Sequence, residues 1–334
     1  MNSRGPTLPA IAFGAALLLA QAGPAPAAEP VDAANPAKVD ADYAIQGEYQ
    51  GDLENDKWGA QVVALGDGKF QVVGYPGGLP GAGWDGDRAG LVRGTGGTSD
   101  GKTAFSGKSP TDVPFNATWD KDGLHVFQDG RVELGTLKRI VRESPTLGAK
   151  PPAGAVVLFD GKSTDAWKEA KMTDEGLLIQ GATSRQHFQS FSAHLEFRTP
   201  YRPKQSSQER GNSGFYAQGR YEVQVLDSFG LKGEKNECGA IYSIKAPDVN
   251  MCLPPLQWQT YDVDFTAASF DGAGKKTANA RITVKHNGVT VHENVEVDHA
   301  TTAAPVPEGP EPGPVYLQDH GNPVRYRNVW VVAK

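Results

Sequence analysis

Short runs that alternate apolar and polar side chains, each ended by a turn rich in glycine or proline, constrain this chain more than any other feature. A period of two marks a strand with one buried face, and a helix cannot present it. The 334 residues include 40 glycines and 24 prolines, spread between those runs. No convincing amphipathic stretch exceeds two helical turns, and no repeat of roughly 20–50 residues recurs. An all-β chain follows, long enough for two domains of ordinary size.

The organisation reads from the N-terminus. Residues 1–27 look like a secretory signal: Arg4 gives a positive start, Leu8 to Ala20 is apolar, and Ala25-Pro-Ala27 offers small residues for cleavage. That run is too short to span a bilayer, so a periplasmic or secreted protein without membrane attachment after cleavage is expected. Residues 28–42 are rich in Ala and Pro and are expected to be flexible. Residues 43–142 form a small β domain of unassigned role, with strands expected at Trp58–Leu65, Lys69–Val73, Pro114–Trp119 and Gly123–Phe127. Asp67-Gly68 and Asp122-Gly123 supply hairpin turns. Its middle, Gly74 to Gly101, contains Gly81-Ala-Gly-Trp-Asp-Gly86, a literal GxGxxG. A dinucleotide site needs a strand before that motif and a helix after it, whereas more glycine and charge follow, so a surface loop is expected.

Residues 143–154, with Pro145, Pro151 and Pro152, read as a linker. Residues 155–334 resume the strand pattern at Phe191–Arg198, Gly219–Asp227, Gln259–Phe265 and Ala280–Lys285. His286-Asn287-Gly288 then turns tightly into Val289–Val291. Many strands and few helices predict a two-sheet sandwich or jelly roll. The two cysteines, Cys238 and Cys252, are expected to pair in an oxidising compartment, a disulfide worth roughly 3 kcal/mol in the chain-entropy model. A formal net charge of -6 argues against nucleic acid, whose phosphates need a basic patch.

Alternation also sorts the side chains. Val315 and Leu317 point one way, while Tyr316, Gln318 and His320 point the other. Arg325 and Arg327 share a face, with Tyr326, Asn328 and Trp330 opposite. Leu195 and Phe197 face a core, leaving His194, Glu196 and Arg198 outward; Tyr221, Val223 and Val225 leave Glu222 and Gln224 outward. Several strands thus carry acids, amides, His or Arg on a non-core face. Such a face suits a polyhydroxylated ligand, although antiparallel sheets commonly have a plain solvated face as well. No GxSxG elbow, HExxH pair or EF-hand loop occurs, and Asn212-Ser213-Gly214 reads as a turn. No ligand spacing specifies a metal; calcium stays open because related sandwiches often bind it.

Several segments occur in order that together carry a resemblance: Val157-Leu-Phe-Asp-Gly-Lys-Ser-Thr-Asp-Ala-Trp167, Asn212-Ser-Gly-Phe-Tyr216, Gly219-Arg-Tyr-Glu-Val-Gln-Val-Leu-Asp227 and Gly239-Ala-Ile-Tyr242, then Trp258-Gln-Thr-Tyr-Asp262, His286-Asn-Gly288, and Leu317-Gln-Asp-His-Gly321 with Arg327-Asn328. Over about residues 155–334 the chain resembles the 3-keto-disaccharide hydrolase family, also described as 3-keto-glucoside 1,2-lyase/3-keto-2-hydroxy-glucal hydratase. The resemblance implies a concanavalin-like jelly roll and chemistry on a glycoside already oxidised at C3; no cofactor is expected from the residues, with calcium left open. The ketone acidifies the C2 proton, a base removes it, the C1 aglycone leaves by β-elimination, and water adds to the resulting enone. The site then needs a base, donors for the enolate oxygen and an acid for the leaving oxygen.

By residue type and face, His320 or Glu222 could be the base, with Asp227 or Glu196 as the acid partner. Arg327 and Gln224 could be the donors, and Gln318 and Arg198 further substrate contacts. A conventional glycoside hydrolase would instead need two carboxylates about 5–10 Å apart, for which Glu222 and Glu196 are candidates. A carbohydrate-binding module without catalysis is the remaining alternative. No nicotinamide or flavin site is legible, so a separate C3-oxidising dehydrogenase is the expected partner.

Overall fold

The computed structural model describes residues 38–334. The segment expected as a signal, residues 1–27, lies outside them, and so does most of 28–42. The described end of the latter is tied down: the Tyr201 hydroxyl donates to Asp40 Oδ1 at 2.7 Å, and Gly68 N donates to Asp42 Oδ2 at 2.9 Å.

A one-turn helix α1 (Asp42–Ile45) leads into β1 (Gly47–Leu53), β2 (Asp56–Gly66), β3 (Lys69–Pro76) and β4 (Val92–Ser99). The meander continues through β5 (Lys102–Lys108), β6 (Pro114–Asp120), β7 (Gly123–Gln128) and β8 (Val132–Ile140). Strand β8 pairs back onto β1, so the eight strands close into an antiparallel barrel with no free edge. Asp67 and Gly68, both at positive φ, make the β2–β3 turn, as their sequence led one to expect.

The GxGxxG segment, residues 81–86, lies in the loop between β3 and β4, as expected, but the same glycine-rich stretch also holds β4, which its sequence did not announce. A Cβ on Gly96 would lie 2.3 Å from the Phe105 ring, and one on Gly94 2.8 Å from the Phe115 ring. Glycine is used there because two aromatic rings lie flat on the strand, a tertiary reason that a local pattern does not reveal.

The second body starts with β9 (Val156–Phe159), β10 (Trp167–Lys168), β11 (Leu178–Ile179), β12 (Ala182–Phe188) and β13 (Phe191–Arg198). It continues with β14 (Ser213–Ala217), β15 (Tyr221–Val225), β16 (Gln259–Thr266), β17 (Ser269–Phe270) and β18 (Lys276–Ala278). The last strands are β19 (Ala280–His286), β20 (Val289–Val297), β21 (Gly313–Leu317) and β22 (Arg325–Ala333). One sheet runs β10-β12-β21-β14-β15; the other runs β11-β22-β13-β16-β19-β20, with β9 beside β22. This is the expected sandwich. Phe191, Leu195 and Phe197 of one sheet meet Phe215, Val223, Val225 and Leu317 of the other in one buried core. Ser213 is part of strand β14, so the turn expected at Asn212-Ser213-Gly214 is absent.

Two further expectations are corrected. Strict alternation fails in β22, where Asn328 takes a positive φ of 47° and the register slips. The bulge keeps Tyr326, Val329 and Val331 in the core and turns Trp330 to the outer face beside Arg327, where it stacks on His194. Cys238 and Cys252 are free thiols, both buried. Each sulfur already has a polar neighbour, Tyr261 Oη 3.2 Å from Cys238 Sγ and the Leu226 carbonyl 3.5 Å from Cys252 Sγ. The two thiols also lie against each other in the core, each acting on the other.

The two bodies touch along β2 and at the α1 end of the barrel. Val63 packs against Gly230, where a Cβ would lie 2.4 Å away, and Tyr201 and Leu256 join the barrel's apolar cluster. The Arg210 guanidinium reaches the Ala64 carbonyl at 3.3 Å.

Candidate active site

The outward face of the five-stranded sheet gathers Tyr216 from β14, Glu222 and Gln224 from β15, Tyr316 from β21, and Gln318 immediately after it. Their neighbours in sequence fill the core, so the period of two that buries Val223 and Leu317 also places these polar groups on one face. Glu222 is only 2% exposed. Its Oε2 accepts a 2.8 Å hydrogen bond from the Tyr216 hydroxyl, which accepts one from Gln318 Nε2 at 3.1 Å. Gln224 Nε2 donates to Gln208 Oε1 at 2.9 Å, and Asn212 Nδ2 donates to the same oxygen at 3.1 Å. The Glu222 backbone is also held, its N–H by Thr301 Oγ1 and its carbonyl by the Tyr242 N–H.

Burial pushes the Glu222 carboxyl up to about 8, against the smaller opposing effect of the Tyr216 hydrogen bond. The same burial, followed by the nearby carboxyl, pushes the Tyr216 phenol up, so it stays a donor. Gly214 explains how the carboxyl fits: a Cβ there would lie 2.2 Å from Glu222 Oε1. A carboxyl mostly neutral at pH 7 is a stronger base once ionised than an ordinary carboxylate, and it can hand a proton back.

The other sequence-derived candidates are distributed differently. Glu196, Arg198 and Arg327 lie on the outward face of the second sheet, across the core from Glu222. There the Arg327 Nε donates to Glu196 Oε2 at 2.6 Å, and Glu196 Oε1 accepts from Asn328 Nδ2 at 2.9 Å and the Gly148 N–H at 2.6 Å. Burial pushes the Glu196 carboxyl up, but bonds from His194, Asn328, Arg327 and Gly148 outweigh it and hold it at about 2. Trp258 carries Arg327 at 4.0 Å and Arg198 at 4.9 Å over its ring. The stretch expected as a linker is laid on this face, with Thr146 Oγ1 donating to Asp262 Oδ2 at 2.8 Å and Asn328 Nδ2 to the Ala149 carbonyl at 2.9 Å.

Asp227 is buried in an ion pair with Arg210 at 2.7 Å, and Arg210 in turn touches the barrel. His320 is exposed on the loop two residues beyond Gln318, and its carbonyl accepts from Asn322 Nδ2 at 3.0 Å. Among the described residues, no three His, Cys, Asp or Glu side chains gather as a metal site would require.

Residues 154–332 match the family of 3-keto-alpha-glucoside-1,2-lyase-like domains. The chain belongs to that family. As a 3-keto-alpha-glucoside-1,2-lyase-like protein it is a carbohydrate-active enzyme, and the match begins after the barrel. Two crystal structures from Parabacteroides distasonis, each provisionally assigned as a glycosyl hydrolase, are similar in part. One is 32% identical over 55% of this chain and 85% of its own, with a TM-score of 0.49. The other is 17% identical over 58% of this chain and 98% of its own, with a TM-score of 0.40. No curated protein matches the chain.

Within the lyase-like domain, sequence reasoning missed Tyr216, Gly214 and Gln208. The first two were within reach: read as a strand, Ser213–Ala217 alternates Phe215 inward with Gly214 and Tyr216 outward, opposite Glu222. Gln208 was not. It sits in a 3-10 turn, Ser207–Glu209, and meets Gln224 only through the fold.

Proposed function

We propose that this protein cleaves 3-keto-glycosides by β-elimination and hydrates the product, with Glu222 as the proton-transferring group. The observation that carries this reading is a buried carboxyl raised to about 8, hydrogen-bonded to a phenol and flanked by amides on the sheet's outward face. Ionised Glu222 takes the C2 proton, and the C–H electrons form the enolate onto the C3 oxygen. Collapse of the enolate restores the ketone, forms the C1–C2 double bond and expels the C1 oxygen. Protonated Glu222 or the Tyr216 hydroxyl returns a proton to that oxygen. Water then adds its oxygen to C1 and a proton reaches C2, giving the free 3-keto sugar. Gln318 and Gln224 are amides of the kind that hold sugar hydroxyls or an enolate oxygen. Because the ketone must already be present, an enzyme that oxidises C3 supplies the substrate.

A two-carboxylate hydrolysis built on Glu222 and Glu196 does not suit this arrangement, since the two groups lie on opposite outer faces of the sandwich. The test pairs a nitrophenyl glucoside with its 3-keto derivative. Nitrophenol release from the keto compound alone, slowed by deuterium at C2, is the expected result. Release from the plain glucoside would overturn the elimination reading, and binding without release from either would leave a sugar-binding module.

A further inference from the structure

The barrel is half filled and half hollow. The half nearest α1 is packed by Tyr49, Phe70, Phe105 and Trp119, with the Trp119 Nε1 donating to the Tyr49 hydroxyl at 2.9 Å. The opposite half encloses an apolar cavity of about 280 Å³, walled by Trp58, Val72, Phe115, Leu124, Val126 and Leu137. Room is left because three inward positions around it carry small residues, Ala60, Gly74 and Ala117. Phe115 lies flat on Gly94 and Gly107, where a Cβ would come within 2.8 and 2.6 Å of its ring, so this aromatic side chain forms part of the wall.

The cavity's far end is closed by the buried aromatic plug, while its mouth lies where β1 ends and β6 begins. Glu54, Val113, Pro114 and Gln128 are exposed there. Polar groups occur at that mouth, with Glu54 the charged side chain among the lining residues. An eight-stranded barrel is just wide enough to be filled by side chains or to hold one small ligand. A dry apolar cavity of ~150 Å³ accepts benzene, so about twice that volume suits a neutral molecule of roughly ten to twelve heavy atoms. Trp58 and Phe115 on the wall favour a flat ring.

We infer that the N-terminal barrel is a binding site for one small neutral aromatic molecule. The site lies outside the matched family domain and does not depend on the elimination reading. A lipid chain is disfavoured by the volume and by the closed far end, and a sugar by the apolar wall.

Calorimetric titration of the full chain with 2-naphthol tests it, with sodium dodecanoate and glucose as comparisons. Saturable one-to-one binding of 2-naphthol is expected, with neither comparison binding. Ala117→Leu and, separately, Ala60→Leu should fill the space and weaken naphthol binding at least tenfold. Circular dichroism should be unchanged, and so should turnover of the 3-keto-glycoside. Absence of saturable naphthol binding to the unmodified chain overturns the inference whether or not the variants fold. Tighter binding of dodecanoate than naphthol, or naphthol binding that both folded variants retain, overturns it equally.

Discussion

Glu222 and Glu196 are both buried glutamates on outward-facing sheet positions, yet their carboxyls are driven in opposite directions, to about 8 and about 2. Burial acts on each in the same sense. The difference is the company. Glu196 is surrounded by donors, including the Arg327 guanidinium and the Gly148 N–H, and is a fixed anion fastening residues 146–149 to the sheet. Glu222 has a phenol as its hydrogen-bond donor and, among the described residues, no cation to offset its burial. One carboxyl is saturated with donors; the other is left uncompensated, which is what the proposed proton transfer requires. A buried acid whose charge is left uncompensated is the kind of group that proton-transfer sites use.

The sharpest way to break this contrast is Glu222→Gln. Turnover of a 3-keto-glycoside should fall by roughly 10²–10⁴-fold. Stability should move the other way at high pH. The folded value of about 8 exceeds the ordinary 4.5, so the neutral form favours folding. That contribution is complete below about 4.5 and is lost as pH rises through about 8. Thermal melts should therefore show an alkaline decline in the wild type, on the order of a few kcal/mol, that Glu222→Gln flattens. A variant with full turnover would remove Glu222 from the chemistry.

Glu196→Gln should do the reverse. Breaking a buried pair costs about 3–5 kcal/mol, but the Arg327 side chain is 37% exposed, so a loss of about 2 kcal/mol is expected. Turnover per folded molecule should hold. The linkage sign is also opposite: its folded value near 2 lies below 4.5, so its contribution is present above about 4.5 and fades as pH falls through about 2. Melts between pH 7 and 3 check this, and a large drop in turnover at constant fold would contradict the structural role.

Gly214→Ala separates position from stability. The added methyl would meet the flexible end of Glu222, 2.2 Å away, so the carboxyl can move aside at little cost to the fold. Turnover should fall by about 10–10²-fold while the melting temperature stays close to wild type, because misplaced catalytic groups lose rate steeply. The smallest effect should come from His320→Ala. With Glu222 as the base, this exposed side chain should cost less than about tenfold. A loss as large as that of Glu222→Gln would hand the base role to His320.

Much of the sandwich could be read directly. Phe191–Arg198 was delimited as the strand it is, and the outward position of Glu222 and Gln224 followed from the same period that buries Val223 and Val225. The barrel strands beginning at Lys69, Pro114 and Gly123 were also legible, because hairpin turns and alternation are local. What escaped was set by distant partners. β4 was hidden because its glycines serve rings on β5 and β6, and β22 lost its alternation to a bulge.

The sequence by itself determined which residues face outward, since a strand's period of two is a property of its own backbone. It could not say which outward faces share a sheet. Glu196, Arg198 and Arg327 look as fit for a sugar as Glu222, Gln224 and Gln318 do. Only strand order across the sandwich divides them, placing one set under residues 146–149 and the other around Tyr216. Nor could it set the charge of either glutamate, because that depends on donors brought from up to 132 residues away. Local alternation is written in adjacent residues, whereas electrostatic environment is a sum over neighbours that exist only after folding.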